Sequence, residues 1–533
     1  MIRMAPLSMA LLLGSQVDSR PLAMTMEDAH GNRLPRRFSQ IDLLKGLVDK
    51  KPKGELKATV TGLATDSRRV VPGSLFFAIS GYRTDGNDYI GEAISRGAIG
   101  IVSERPHPRI CPVPFWTVGD ARTALADVAA RFYGHPENDL KIAAVTGTNG
   151  KTTVAMLTQH LMEGDDPVGL LSTVRYDVGK RTFPAFRTTP ESVDIYALLD
   201  QMRTGGCSSM MMEASSHGIH QKRVWGVPLE VAVFTNLTQD HLDYHGDLND
   251  YFETKAKLFA GVGAAAPRVG VINISDAHGA ELARRLAGRM KLVTFGKENV
   301  ATHQIVIKSM RADGVSFDLV GSEDTLSIES ALPGEYNIYN LAAAILCAQE
   351  MGVTREAILD RLASFRGIPG RMQRVEHFDG VHVFVDYAHT HDAIHNALNM
   401  LGEVIDGQIH IVFGCGGDRD RSKRPKMMQA ALDGADRVYL TADNPRLEAL
   451  DQIFGDTMAA VEESDRMRVQ VIRDRREAIA VALRSAKPED CVLIAGKGHE
   501  NFQEIADALI PFDDVQTAQE LIAALELKGG VHA

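Results

Sequence analysis

The 533-residue chain has few cysteines, and none arranged as a pair. Cys111, Cys207, Cys347, Cys415 and Cys491 lie far apart, with no C-x-x-C spacing. That excludes a disulfide scaffold or a zinc ribbon and suits thiols buried in a reducing compartment. Positive charge is also short: 58 Lys and Arg stand against 69 Asp and Glu, a formal net charge of −11. Such a chain has no strong basic field for general nucleic-acid or membrane-surface binding, although a local basic pocket for a small anion stays open. Long apolar runs are missing too, so no membrane span is expected. Residues 4–13 follow Arg3 and faintly resemble a signal peptide, but no A-x-A site comes after them. Residues 1–38 are therefore expected to be an irregular extension, with Met24 or Met26 as alternative starts. What remains is a globular composition, 44% hydrophobic and 24% charged, on a chain too long for one core.

The most informative stretch is 143–153, A-A-V-T-G-T-N-G-K-T-T. A short apolar run reads as a buried strand, a Gly-bounded turn comes next, and an apolar helix begins near Val154. Backbone N–H groups of such a turn and the helix start form a cradle for phosphate oxygens. Lys151 reaches terminal phosphates and the Thr152 hydroxyl can ligate Mg²⁺. Val145 replaces the first Gly of the strict phosphate-loop pattern, and a lone glycine-lysine turn is often only a capping loop. The strand-before, helix-after context favours a nucleotide.

Three α/β domains are expected. In residues 39–138, Ser39 caps a helix carrying Ile41, Leu43, Leu44 and Leu47, and β-like runs occur at 74–79, 99–102 and 115–118. Residues 139–368 hold strand candidates at 209–212, 231–234 and 269–274 with helices between, which implies a mostly parallel sheet. A β-rich patch at 304–327 precedes an apolar helix at 337–351. Residues 366–371 read as a hinge. Residues 369–533 repeat the alternation, with strands at 381–385, 409–413, 437–440, 469–472 and 491–494. The glycines at 414, 416 and 417 do not have dinucleotide-fingerprint spacing, so NAD is not expected there.

Several loops carry chemistry. Glu213 ends a strand, where a carboxylate can hold a nucleotide's Mg²⁺, while Ser215 or Ser216 caps the next helix. His241 and His245 are four apart, but Leu242 stands where a zinc protease needs Glu. Asp240 and Asp243 make a hard-metal and phosphate site a better fit. Taken singly, Lys255 and Lys257 read as solvated helix charges. In the third domain, D-Y-A-H at 386–389, the glycine-led cationic run 416–424, D-N-P-R at 443–446 and G-K-G-H-E at 496–500 all sit at predicted strand C-terminal ends. Open α/β sheets bind ligands on that rim.

Together these segments resemble the Mur ligase family over nearly all the chain after residue 39. The matching pieces are T-G-T-N-G-K-T-T (146–153), E-A-S-S-H-G (213–218) and N-L-T-Q-D-H-L-D-Y-H-G (236–246). Y-F-E-T-K-A-K-L-F (251–259), G-E-Y-N-I-Y-N-L-A-A-A (334–344), V-D-Y-A-H-T (385–390), G-G-D-R-D (416–420) and G-K-G-H-E complete them. The 65–78 stretch resembles the uridine-nucleotide domain of the member adding the third stem-peptide residue. D-N-P-R resembles members that take meso-diaminopimelate rather than lysine. The sequence departs from the family at Gln239 (usually Arg), at His391 (usually Pro) and after D-N-P-R, where Leu447-Glu448-Ala449-Leu450 replaces S-E-D-P.

The resemblance implies a uridine-nucleotide domain, a central phosphate-loop ATPase domain with a mostly parallel sheet, and a Rossmann-like third domain. It implies ATP-driven amide formation between diaminopimelate and the γ-carboxylate of D-Glu on UDP-MurNAc-L-Ala-D-Glu, through an acyl phosphate. Catalysis falls to Lys151, Glu213, His241 and Lys255, the last N-carboxylated from CO₂. Thr152, Glu213, His241 and the Lys255 carbamate would hold Mg²⁺. ATP is assigned to Gly147, Thr148, Asn149, Gly150, Lys151, Thr152, Thr153, Asn337 and Asp386. The UDP-sugar peptide is assigned to Thr65, Ser67, Tyr82, Arg83, Thr84, Thr188, Thr189, Ser215, Gln221 and Arg223. Diaminopimelate falls to Arg419, Asp443, Asn444, Pro445, Arg446, Gly496 and Glu500. A cytoplasmic monomer with small-molecule partners is expected. The alternatives are a lysine-adding relative, a folylpolyglutamate synthetase-like ligase, disfavoured by the separate first domain, or a silent nucleotide-binding relative, disfavoured by the intact catalytic set.

Overall fold

A computed structural model of the chain describes residues 38–48, 59–81, 84–106, 111–322, 324–378 and 380–529, plus the backbone of Thr25–Glu27 and Arg33–Pro35. Those two short strands pair antiparallel inside the segment expected to be irregular. Their pairing is a backbone contact that no apolar periodicity announces. Tyr82 and Arg83 lie outside the described residues.

The first domain is a four-stranded parallel sheet in the order Gly62–Ala64, Ser74–Ala78, Ala98–Ser103, Phe115–Thr117. Ser39 does cap a helix, accepting the Ile41 N–H at 3.1 Å, but the α-helix spans only Gln40–Leu43. Buried Gln40 stitches the sheet instead, donating to the Ile99 carbonyl and accepting from Trp116 Nε1. Helix Ala121–Phe132 packs on Ser192–Gly205 of the next domain, so one apolar core runs through both.

The second domain is built on an eleven-stranded sheet. Val168–Leu171, Ser209–Glu213, Lys141–Thr146, Val231–Phe234, Val269–Asn273 and Lys291–Gly296 are parallel neighbours in that order. Most of their residues are buried, as in a parallel sheet covered on both faces. The β-rich patch is three strands, His303–Arg311, Gly314–Val320 and Thr325–Ser330, antiparallel to one another, that continue the same sheet; the first of them pairs parallel with Lys291–Gly296. Helix Glu335–Glu350, apolar along its length, packs against Lys151–Met162.

The third domain has a six-stranded sheet in the order Gln373–Phe378, Val381–Asp386, Cys491–Ala495, Ile409–Phe413, Arg437–Leu440, Val469–Val471, parallel except for the first. A hairpin, Phe502–Ile505 with Ala508–Pro511, comes after strand Cys491–Ala495 in sequence. No helix among the described residues is long and apolar enough to cross a membrane.

Candidate active site

Strand Lys141–Thr146 lies between two parallel neighbours and ends at a turn of Gly147 (φ 152°) and Gly150 (φ 85°). A Cβ at Gly147 would stand 1.9 Å from Thr235 Oγ1, and one at Gly150 2.2 Å from Asn340 Oδ1. Only glycine lets this turn nest against its neighbours. Helix Lys151–Met162 then starts with no side-chain cap among the described residues, leaving its first N–H groups for a phosphate.

Lys151 Nζ donates to the carbonyls of Gly147 (3.0 Å) and Thr148 (2.8 Å). Thr152 Oγ1 donates to Glu213 Oε2 at 3.2 Å. Glu213 is fully buried, and Thr173 donates to it from its backbone N–H (2.7 Å) and its hydroxyl (3.1 Å). Burial pushes the Glu213 carboxyl up, and the Lys151 charge pulls it back. Burial pushes Lys151 down, against Glu213 and Asp240.

Lys255 is not a solvated charge: it is 1% exposed on helix Leu248–Ala260, whereas Lys257 is exposed. Its Nζ donates to the Gly147 carbonyl at 2.7 Å and lies 4.4 Å over the Tyr251 ring. Two lysines thus converge on one carbonyl. Desolvation, and then the charge of Lys151, push Lys255 well below the ordinary ammonium range, with Asp240 opposing. A buried neutral amine is the species that can add CO₂.

The expected four-residue metal set is less compact than the resemblance implies. His241 (φ 53°) is half-exposed, 3.4 Å from Asp240, with its ring 4.8 Å from His217 and 6.2 Å from Tyr251. Among the described residues no three His, Cys, Asp or Glu side chains cluster as an ion cage. The Thr152–Glu213 pair still suits Mg²⁺, which takes one or two protein oxygens and completes its shell with phosphate and water.

Asn337 is buried, donating to the Pro333 carbonyl and accepting from Asn340, the side chain that abuts Gly150. Asp386 ends its strand and accepts the N–H groups of Met372 (2.7 Å) and Ala388 (2.9 Å). Burial pushes its carboxyl up, with Arg371 opposing. In sequence Arg371 is no more than a cation in a glycine-rich hinge. In the structure its charge acts on Lys151, Glu213, Asp386 and Tyr336, and its guanidinium lies 4.8 Å from the Tyr387 ring centroid. It thus belongs to the site where the second and third domains meet.

The residues assigned to the muramoyl peptide form one network. Thr188 Oγ1 is 3.0 Å from Thr173 Oγ1, and Thr189 Oγ1 donates to the Glu213 carbonyl while accepting the Ser215 N–H. Ser215 is the helix cap, accepting the Gly218 N–H. Arg223 donates to the Thr189 carbonyl and to Gln221, and burial lowers its pKa. In the first domain Ser67 donates to Glu92, Thr65 is half-buried beyond strand Gly62–Ala64, and Thr84 is exposed. These three share no bond that marks a site. An Arg69–Asp194 ion pair at 2.9 Å ties that domain to the second.

The third-domain loops expected to take the acceptor do converge. Gly417 N–H donates to the Asn444 carbonyl, and a Cβ on Gly417 would strike the Pro445 carbonyl at 1.9 Å. Fully buried Lys497 reaches Asn444 Oδ1 and Glu500 Oε2, each at 3.1 Å, and Asp443 at 3.5 Å. Asn444 Nδ2 donates to the same Glu500 oxygen at 3.0 Å. Arg446 (φ 50°) donates from Nη1 to the Gly417 carbonyl at 2.9 Å. Gly496 (φ 113°) faces Asp443, and Arg419 is exposed on the glycine-led loop. The role of Lys497 carries no local signal in sequence, because it acts through partners brought close only by folding.

This arrangement, a phosphate turn facing a Rossmann-like domain whose strand-end loops form a polar rim, is that of an ATP-dependent ligase. Family models match throughout: Mur ligase family, catalytic domain over 59–133, Mur ligase middle domain over 145–348, and Mur ligase, glutamate ligase domain over 370–498. The chain belongs to the Mur ligase family. It is 39% identical over 507 residues to UDP-N-acetylmuramoyl-L-alanyl-D-glutamate–2,6-diaminopimelate ligase of Geobacter metallireducens, covering 92% of this chain and 99% of that one. It is 42% identical over 471 residues to the ligase of the same name from Geobacillus thermodenitrificans, covering 87% and 95%. A solved structure of a ligase of that name superposes with a TM-score of 0.66 at 35% identity, covering 92% of this chain and 99% of that one.

Proposed function

We propose that the chain joins meso-2,6-diaminopimelate to the γ-carboxylate of D-Glu in UDP-MurNAc-L-Ala-D-Glu, using ATP, in cytoplasmic peptidoglycan precursor synthesis. The observation carrying the choice of acceptor is the polar rim on which Asn444 holds Glu500 and Arg446 follows two residues along the same loop. A guanidinium and a carboxylate on one rim match a second α-amino-acid centre, which lysine lacks. The relatives' names support the same reading.

In the first step the γ-carboxylate attacks the terminal phosphorus of ATP, the P–O bond to ADP breaks, and an acyl phosphate forms. The acceptor amine then attacks the acyl carbon, gives up a proton, and phosphate leaves. Phosphoryl transfer needs charge neutralisation and positioning more than covalent help. The turn 147–150 and the start of helix Lys151–Met162 would orient the phosphates, with Lys151 and Arg371 supplying cationic charge. Mg²⁺, when bound, supplies further neutralisation, and Thr152 and Glu213 are the residues to hold it. His241, whose ring lies 6.2 Å from that of Tyr251, would add a further ligand. Lys255 as a carbamate would exchange a buried neutral amine for an anion beside Lys151. Asn337 and Asp386 would hold the nucleoside end, and Thr189, Ser215, Gln221 and Arg223 the peptide.

A phosphate-release assay with the UDP-dipeptide and a panel of amino acids tests the reading. Release with meso-diaminopimelate well above that with L-lysine is expected. Preference for L-lysine or glutamate, or no release with any acceptor, refutes it.

A further inference from the structure

The Arg446 guanidinium already carries an ion pair. Its Nε lies 2.7 Å from Glu504 Oε2, on the hairpin strand Phe502–Ile505. Its backbone N–H donates to the Glu504 carbonyl at 2.9 Å, and the Glu504 N–H donates to Asn444 Oδ1 at 3.0 Å. Next door, Gln503 Nε2 donates to the Asp443 carbonyl at 3.0 Å. The hairpin therefore clasps the whole 443–446 tetrapeptide, and Glu504 adds a negative charge at its cationic end.

The guanidinium has three nitrogens. Nε is committed to Glu504 and Nη1 to the Gly417 carbonyl. Nη2 is the nitrogen without a protein acceptor among the described residues. An incoming carboxylate then meets the Nη edge, not the Nε edge held by Glu504. It must also approach a second carboxylate fixed on the same cation. Other charges nearby are already paired: Glu448 with Arg424 and Arg421, Glu500 with Lys497. Glu504 is the carboxylate facing Arg446 directly.

We propose that Glu504 is a specificity residue, an internal anion that competes with the acceptor's far carboxylate for Arg446 and so weakens binding of a dicarboxylate acceptor. The inference rests on the acceptor reading above and deepens it. The backbone bonds of residue 504 hold Asn444 and Arg446 in place whatever side chain is present. The carboxylate is then left to set charge, and its removal strengthens the pull of Arg446 on an acceptor carboxylate.

The test is Glu504→Gln, whose amide oxygen can keep the close contact with Nε while losing the charge. The side chain is about one-third exposed on a hairpin, so the swap leaves folding intact, and an unchanged melting temperature verifies this. The KM for meso-diaminopimelate should fall on the order of three- to tenfold, given two carboxylates near one half-screened cation. The KM for ATP should hold, and any weak use of L-lysine, which lacks the far carboxylate, should show no gain. A merely structural residue would raise the KM for both acceptors. An unchanged or raised KM for diaminopimelate overturns the inference while the acceptor reading stands. A wild-type enzyme that prefers lysine overturns both.

Discussion

Glu448→Gln should destabilise the third domain and loosen acceptor binding together. Glu448 receives Arg424 through Nη1 (2.9 Å) and Nη2 (2.6 Å), Arg421 at 2.8 Å, and the Asp418 N–H at 3.1 Å. Arg424 is 1% exposed. These bonds, led by those from Arg424, push the Glu448 carboxyl down from 4.5 to about 2. That drop corresponds to an upper value of ~3 kcal/mol. Breaking a buried pair typically costs ~3–5 kcal/mol, because the stranded charge stays buried. Here Arg424 keeps Asp456 at 2.8 Å and the Gly416 carbonyl at 3.1 Å, so the lower end applies. A loss of about 2–3 kcal/mol should lower the melting temperature by roughly 5–10 °C in a domain of this size. The sign with pH comes from the depressed carboxyl. Its contribution is complete above the unfolded value of 4.5 and is lost as pH falls through 2. The gap between wild type and variant should therefore shrink by ~1.4 kcal/mol per pH unit below 4.5. Denaturant titrations at pH 7 and pH 3.5 read this directly. Because Glu448 also holds the glycine-led loop against the tetrapeptide, the KM for diaminopimelate should rise while that for ATP holds. A gap under ~0.5 kcal/mol at pH 7, or one that does not narrow at pH 3.5, refutes the reasoning.

Gly147→Ala should lower ATP affinity at least tenfold while UDP-dipeptide binding persists, since a Cβ meets Thr235 Oγ1 at 1.9 Å and φ is 152°, a strain of ~1–3 kcal/mol; calorimetry with each ligand checks it, and unchanged ATP affinity would sink it. Lys255→Met should abolish turnover yet raise stability at pH 7 in CO₂-free buffer. The folded state binds the Lys255 proton less well than the unfolded state, so the gain should shrink as pH rises toward 10.5. A destabilised Lys255→Met, or equal damage from Lys257→Ala, would count against a buried neutral amine. Arg446→Ala should sharply weaken diaminopimelate use with ATP affinity nearly unchanged, because truncating one partner of such a charge pair costs ~2–5 kcal/mol. Wild-type rates with the variant would show that another group reads the acceptor.

Much of the frame was legible in the residues. Val231–Phe234, Ile409–Phe413 and Arg437–Leu440 are strands to the residue, because short β-branched runs bounded by polar turns have few other ways to be buried. The phosphate turn was legible because glycine, lysine and threonine at fixed offsets carry their own chemistry. Strands Val168–Leu171 and Lys291–Gly296 were not, since the first is four residues long beside a polar loop and the second opens on an exposed lysine. Nor did local pattern say that the antiparallel strands 303–330 extend the parallel sheet; that depends on which edge is free after folding. The site divides the same way. Residue types at strand ends singled out Lys151, Glu213, Asn444 and Arg446 as candidates. Local pattern treats Lys255 and Lys257 alike and only the resemblance sets Lys255 apart; the fold shows Lys255 buried beside Lys151 and Lys257 exposed. The fold alone brought Arg371 near Glu213 and set the hairpin's Glu504 on Arg446. Backbone propensity acts over a few residues, whereas burial and charge pairing act through space, and only the folded chain determines which distant groups share a dry environment.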